Sequence, residues 1–142
     1  MTPSHVLVPL DGSPLAEEAL RYAIETFDCR ITVLNVVTPV DAEMSEGGIL
    51  DIEDPRLEDA RGNAERLIER AVRLAESASG PIETAIEVGE PAEAILGFVD
   101  ANDVDHVVMG GHGDRGGIAE RLLGSVATTV VTESPVPVTV LK

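Results

Sequence analysis

His5-Val6-Leu7-Val8-Pro9-Leu10-Asp11-Gly12-Ser13-Pro14 decides the fold, because it runs from a short apolar stretch straight into turn chemistry. The apolar run reads as a buried strand. Ser13 then stands as a helix N-cap, with Pro14 at the first helical position. Ala16, Ala19, Leu20, Ala23, Ile24 and Phe27 recur at helical spacing, which predicts a helix from about 14 to 28. Ile31 to Val37 follows as a second buried strand, continuously apolar as parallel strands tend to be.

Working outward, residues 38–55 hold Pro39, Gly47, Gly48 and Pro55 among several acids and form the longest loop. Loops of that length are usually functional or mobile. From Arg56 to Ser79, the residues Leu57, Ala60, Ala64, Leu67, Ile68, Ala71 and Leu74 keep a 3.6-residue period, and Gly80-Pro81 stops that helix. Ile82 to Val88 alternates apolar and polar residues, as an edge strand would. Gly89-Glu90-Pro91 turns into a helix carrying Ala92, Ala94, Ile95, Phe98 and Val99. Val104 to Met109 is a fourth strand, followed by glycine-rich residues Gly110 to Gly117 and a short amphipathic piece, Ile118 to Leu123. A helix over 125–133 and a strand from Val136 to Leu141 complete the chain.

The order βαβαβαβαβ implies one doubly wound α/β domain over residues 1–142, a parallel sheet with helices on both faces. Five strands suit the order 3-2-1-4-5, with the topological switch point between strands 1 and 4. Ligands in such sheets bind outside the carboxyl ends of the strands at that point. The loops leaving strands 1 and 4 are the two with unusual turn chemistry.

Composition narrows the function classes. Aromatics make up only 2% against 44% hydrophobic residues, so Val, Leu, Ile and Ala must build the core. The single cysteine, Cys29, excludes an intramolecular disulfide and suits a small buried hydrophobe at a helix end. Ten basic residues against 26 acidic ones give a formal charge of −16, and the only lysine is Lys142. Such a field disfavours nucleic acid and anionic membrane as partners. Acidity, scarce lysine and few aromatics together suit a cytoplasm at molar salt, where the Debye length shrinks to ~3 Å; a merely solvated acidic surface is the blander alternative. With no signal-peptide pattern and no run of about 20 apolar residues, the expected location is the cytoplasm.

The loop after strand 4 carries the strongest functional signal. Gly110, Gly111, Gly113, Gly116 and Gly117 let the backbone approach a ligand closely. Gly124-Ser125 then opens a helix, with Ser125 as the expected N-cap, and unsatisfied N–H groups at that terminus favour an anion such as a phosphate. A flexible loop beside a capped helix would read the same way. Gly111 to Gly116 is a literal GxGxxG, but only one strand remains after it, without an acid to hold a ribose, so a dinucleotide fold is rejected. The GxxxxGK[ST] phosphate loop is absent. His112 would face a phosphate or simply pack in its loop, whereas His5 and His106 flank strands and suit structural roles. No histidine spacing suggests zinc, and Ser13 and Ser125 lie in no G-x-S-x-G elbow. No catalytic residue is assigned.

Taken together, Val8-Pro9-Leu10-Asp11-Gly12-Ser13, Gly89-Glu90-Pro91-Ala92-Glu93-Ala94-Ile95, Met109-Gly110-Gly111-His112-Gly113 through Leu122-Leu123-Gly124-Ser125-Val126, and Pro135 to Val138 resemble the universal stress protein family over essentially the whole chain. The resemblance implies an adenine nucleotide alpha-hydrolase-like fold that binds ATP, with Mg2+ or Mn2+. By the family's motif, usually written G-x2-G-x9-G-[ST], Asp11 meets the adenine or ribose side, while Pro9 and Leu10 line the pocket. Val36 packs on the adenine, Met109 and Gly110 border the ribose, and Gly113, Gly124, Ser125 and Val126 cradle the phosphates. Ten residues separate Gly113 from Gly124 where the motif has nine; placing the extra residue at Asp114 restores the register and leaves Arg115 to offset its charge. With the acidic composition, the resemblance points to a halophilic archaeon. It also implies a homodimer through the last strand, where Val136, Val138 and Val140 form an apolar edge and Pro137 must sit where the ladder needs no N–H.

Three functions follow: a nucleotide-binding stress-response or regulatory domain, a slow metal-dependent ATPase using Asp11 and Asp114, and a dimeric partner-binding scaffold with a vestigial pocket. The missing phosphate-loop lysine weighs against the second, and Gly113, Gly124 and Ser125 weigh against the third.

Overall fold

A computed structural model describes residues 3–38, 55–77, 81–111 and 124–142. The elements are β1 (His5–Pro9), α1 (Pro14–Thr26), β2 (Arg30–Val37), α2 (Pro55–Leu74), β3 (Ile82–Val88), α3 (Pro91–Ala101), β4 (His106–Gly110), α4 (Ser125–Glu133) and β5 (Val138–Leu141). All four strand pairings are parallel, and the order is β3-β2-β1-β4-β5, the doubly wound sheet that the alternation of elements predicts.

Side-chain alternation along the strands divides the core in two. Val6, Val8, Ile31, Val33 and Val108 point to the face covered by α1 and α2, where they meet Ala19, Leu20, Ala23 and Ala71. Leu7, Leu34, Val107 and Met109 point the other way and meet Ala92, Ile95 and Val99 of α3, and Ala127 and Val130 of α4. Each fully buried Val or Leu contributes about 1.5–3 kcal/mol relative to leaving it in water. Small alanines at the helix contacts let the helices sit close to the sheet, which suits a core almost without aromatics.

Several boundaries differ from the sequence reading, each for a local reason. Helix α1 ends at Thr26 because Phe27 has extended backbone (φ −112°, ψ 124°). Its ring is then free to pack at 5.0 Å from that of His106. Helix α2 ends at Leu74, and a 3₁₀ turn follows over Ala75–Ser77; residues 78 and 79 of the expected helix lie outside the described residues. Strand β4 starts at His106 because Asp103 takes a left-handed conformation (φ 53°) after the helix. Strand β5 starts at Val138; Pro137 just before it accepts from the Val107 N–H at 3.0 Å and owes the ladder no donor.

Val136, Val138 and Val140 are half-buried against the α3/α4 core, and β5 is the edge strand of the sheet. Cys29 is half-buried just beyond α1, against the α1/α2 core. The loop expected over 38–55 lies, from 39 to 54, outside the described residues, as do Gly80 and residues 112–123. No helix among the described residues is long and apolar enough to cross a membrane.

Candidate functional site

The switch point between β1 and β4 brings two turns together. On the β1 side, Leu10 is still held to β2: its N–H donates to the Leu34 carbonyl at 2.8 Å, and its carbonyl accepts from Asn35 Nδ2 at 2.7 Å. Past that point the chain turns. Asp11 is exposed, and its Oδ1 accepts from the Ser13 N–H at 2.9 Å, an Asx turn. Gly12 follows at φ +86°, a conformation L side chains rarely adopt, and an added Cβ there would sit 3.1 Å from Leu67 Cδ2 of α2. Buried Ser13 then caps α1, its Oγ accepting from the Ala16 N–H at 3.2 Å.

On the β4 side, Gly110 fits against the first turn of α1. A Cβ there would lie 3.2 Å from Leu15 Cγ and 3.3 Å from the Ala16 nitrogen. Absence of a side chain at Gly110 therefore sets how closely the two turns approach. Gly111 donates to the Leu141 carbonyl at 2.7 Å and accepts from the Gly124 N–H at 2.6 Å. That last bond brings the end of β4 to the start of α4 at the mouth of the site.

Helix α4 corrects the expected capping. Its N-cap is Gly124 (φ −66°, ψ 167°), with no side-chain cap bond, and Ser125 is the first helical residue. Ser125 is exposed, and its carbonyl accepts from Thr129 Oγ1 at 3.0 Å. A glycine cap supplies no side-chain oxygen of its own to the first-turn N–H groups, and the positive end of a helix dipole favours an anion.

The remaining sequence candidates fall as follows. Pro9 is half-buried at the end of β1. Leu10 and Met109 are buried in the cores on opposite faces, so each would meet a ligand through its main chain and not its side chain. Val36 and Val126 are half-buried on the α3/α4 face. Gly113 and Arg115, like His112 and Asp114, lie outside the described residues.

Sequence reasoning passed over Asn35, which fixes the loop leaving β1. Its signal was a lone amide inside the apolar run Ile31–Val37. Leu67, Leu15 and Ala16, which set the two glycine contacts, carried no signal, because close approach between elements is not written in their spacing.

The perturbed titratable groups sit at the opposite, amino ends of the strands. Partial burial pushes the Asp105 carboxyl up, but donors from Ser4 and from the His5 N–H outweigh it and hold that carboxyl below its ordinary range. Burial pushes the His106 imidazole down, and its Nε2 lies 2.8 Å from Thr139 Oγ1. Buried His5 bridges the Asn102 carbonyl (3.0 Å) and Thr32 Oγ1 (2.7 Å). Arg30 and Glu83 make a two-bond ion pair at 2.7 Å across β2 and β3. All of these hold strand starts together, in line with the structural roles expected of His5 and His106.

Comparison with known proteins agrees with this architecture. The sequence model of the Universal stress protein family matches residues 3–142. The chain is 30% identical to universal stress protein MJ0531 of Methanocaldococcus jannaschii, over 96% of this chain and 81% of that one. It is 32% identical to universal stress protein Rv2005c of Mycobacterium tuberculosis, of which it spans 46% while 99% of this chain is covered. Among solved structures, UspA of Lactobacillus plantarum superposes with a TM-score of 0.85 at 23% identity, covering 100% of this chain and 99% of that one. A family protein of Arabidopsis thaliana with AMP bound superposes with a TM-score of 0.69 at 22% identity, covering 99% and 92%.

Proposed function

The chain belongs to the universal stress protein family, and we propose that it binds an adenine nucleotide, ATP, between the loops leaving β1 and β4 and serves as a stress-response or regulatory domain of the cytoplasm. The observation that carries the reading is the bond from the Gly124 N–H to the Gly111 carbonyl, which sets a glycine-capped helix start beside the close contact of Gly110 with α1. In this reading Asp11 accepts from the adenine or ribose side, next to Pro9 and Leu10, and Val36 packs on the base. Met109 and Gly110 border the ribose, and Gly113, Arg115, Gly124, Ser125 and Val126 surround the phosphates. Solved family members hold AMP, cAMP and dAMP, which supports the class of ligand.

The described residues offer no group of three or more His, Cys, Asp or Glu side chains able to hold a metal. In this reading Mg2+ or Mn2+ arrives on the nucleotide's own phosphates, with Asp11 or Asp114 as a carboxylate beside it; such ions are commonly held by phosphates plus one or two carboxylates. The metal would neutralise phosphate charge, which a chain of −16 needs for a triphosphate. A monophosphate is the second reading, favoured by the sparse positive charge: a helix start supplies only about half an elementary charge.

Residues 1–142 form one such domain in this reading, paired with a second copy through β5, beyond whose outer edge the described residues place no strand. The acidic composition supports a halophilic source. Nucleotide released by denaturing the protein purified in high-salt buffer with magnesium tests the reading. Stoichiometric adenine nucleotide, stable on incubation, is expected. Phosphate release in step with protein concentration would make it an ATPase instead, and absence of nucleotide at millimolar supply would leave the dimeric scaffold.

A further inference from the structure

We propose that the flank of α3 beside β3 is a docking groove for a basic amphipathic helix of a partner protein. A groove of about 320 Å³ lies between the carboxyl end of β3 and α3, lined by Glu87, Glu90 and Glu93 and by Ala94, Gly97 and Phe98 among others. Among the described residues, the buried sheet residues under α3 and α4 come from β1, β2 and β4, while β3 contributes only the half-buried Ala85.

Gly97 is the residue that the chain's own packing leaves unexplained. It lies in the interior of α3, where glycine is the poorest helix former after proline. A Cβ there would meet nothing within 4 Å, so no contact among the described residues requires its absence. Ala94 and Gly97 fall three residues apart on one side of the helix. Small residues at such positions let a second helix come closer than the usual 8–10 Å between axes.

Charge identifies the occupant. From Leu74 to Asp114 the sequence holds no lysine or arginine. Neither Glu87 nor Glu93 makes an ion pair with any described residue, and Glu90 is engaged with the Glu93 N–H as the cap of α3. A second copy of this chain would bring more carboxylates to the groove. The fitting occupant is a helix with apolar residues on one face, which would cover Ala94, Gly97 and Phe98, and lysine or arginine along its border to meet the glutamates. Glu87 of the groove is the register partner of Val36, so the groove neighbours the proposed nucleotide site.

The test uses the full chain, isotopically labelled, titrated with a synthetic amphipathic helix of leucine and lysine at moderate salt. A scrambled peptide of identical composition controls for charge alone. Shift changes confined to residues 87–102 are expected, with the amphipathic peptide binding about tenfold tighter than the scrambled one. Gly97→Leu should weaken binding by at least about tenfold while the thermal midpoint holds or rises, since leucine fills open space and favours helix. Glu87→Gln with Glu93→Gln should weaken it and reduce its salt dependence. Equal binding of both peptides, shifts spread over the whole acidic surface, or indifference to Gly97→Leu would overturn the proposal.

Discussion

The side-chain amide of Asn35 donates to the carbonyl of Leu10 at 2.7 Å, so the residue before Asp11 is held to β2 after its own strand has ended. Asn35 is only 6% exposed, and removing its amide strands the Leu10 carbonyl away from water. Asn35→Leu should cost about 1–3 kcal/mol of stability, read from the urea midpoint. It should also weaken nucleotide binding, because the Asp11 turn loses its anchor.

Gly12 at φ +86° faces two penalties on substitution. An alanine there must adopt a left-handed backbone and displace Leu67. Gly12→Ala should lower stability by about 1–3 kcal/mol in the same assay. Pairing it with Leu67→Ala relieves the contact but not the backbone, so the double variant should still fall short of the parent's site geometry and affinity.

The acid side of the stability profile should carry the mark of His106. Its imidazole is held below the ordinary value of about 6.5 by burial, so between that value and its lower folded one the unfolded chain takes up a proton that the folded chain refuses. Stability is then full above about pH 6.5 and falls as pH drops through that window. Asp105, whose carboxyl is held low, adds a second loss at more acid pH, below about 3.9. Urea midpoints across pH 5 to 8 should show the first slope, and His106→Gln should flatten it.

A net charge of −16 makes the folded state repel itself at low ionic strength. The thermal midpoint should therefore rise steadily from about 0.1 M to 2 M potassium chloride, as the Debye length falls from about 10 Å toward 3 Å and below. A midpoint that falls with salt would remove the physical basis for the halophilic reading.

The sheet was legible because its determinants are local. Continuous apolar runs, Ser13-Pro14 and Glu90-Pro91 as helix starts, and strict alternation of elements leave few topologies open. The candidate site was legible where glycine marks a close approach, as at Gly12 and Gly110. What closes the contact was not legible: Leu67 on Gly12, Leu15 and Ala16 on Gly110, and Asn35 on Leu10 are long-range pairings that no spacing encodes. The cap of α4 was misread for a similar reason. Ser125 has the right chemistry for a cap, but the bond from Gly124 to Gly111 fixes the helix start one residue earlier. The half-burial of the β5 valines was not legible either, because it arises only when α3 and α4 are laid over them.

The most direct test of the central claim is calorimetric titration of AMP and of ATP with magnesium into the parent chain and into Gly110→Val. Valine at that position must push against Leu15 and the Ala16 backbone, separating the two turns while leaving the strands paired. The account predicts saturable binding of one nucleotide per chain at about micromolar concentration, lost by at least about tenfold in a variant that remains folded. Absence of binding by the parent up to millimolar nucleotide, or equal affinity in Gly110→Val, would contradict it.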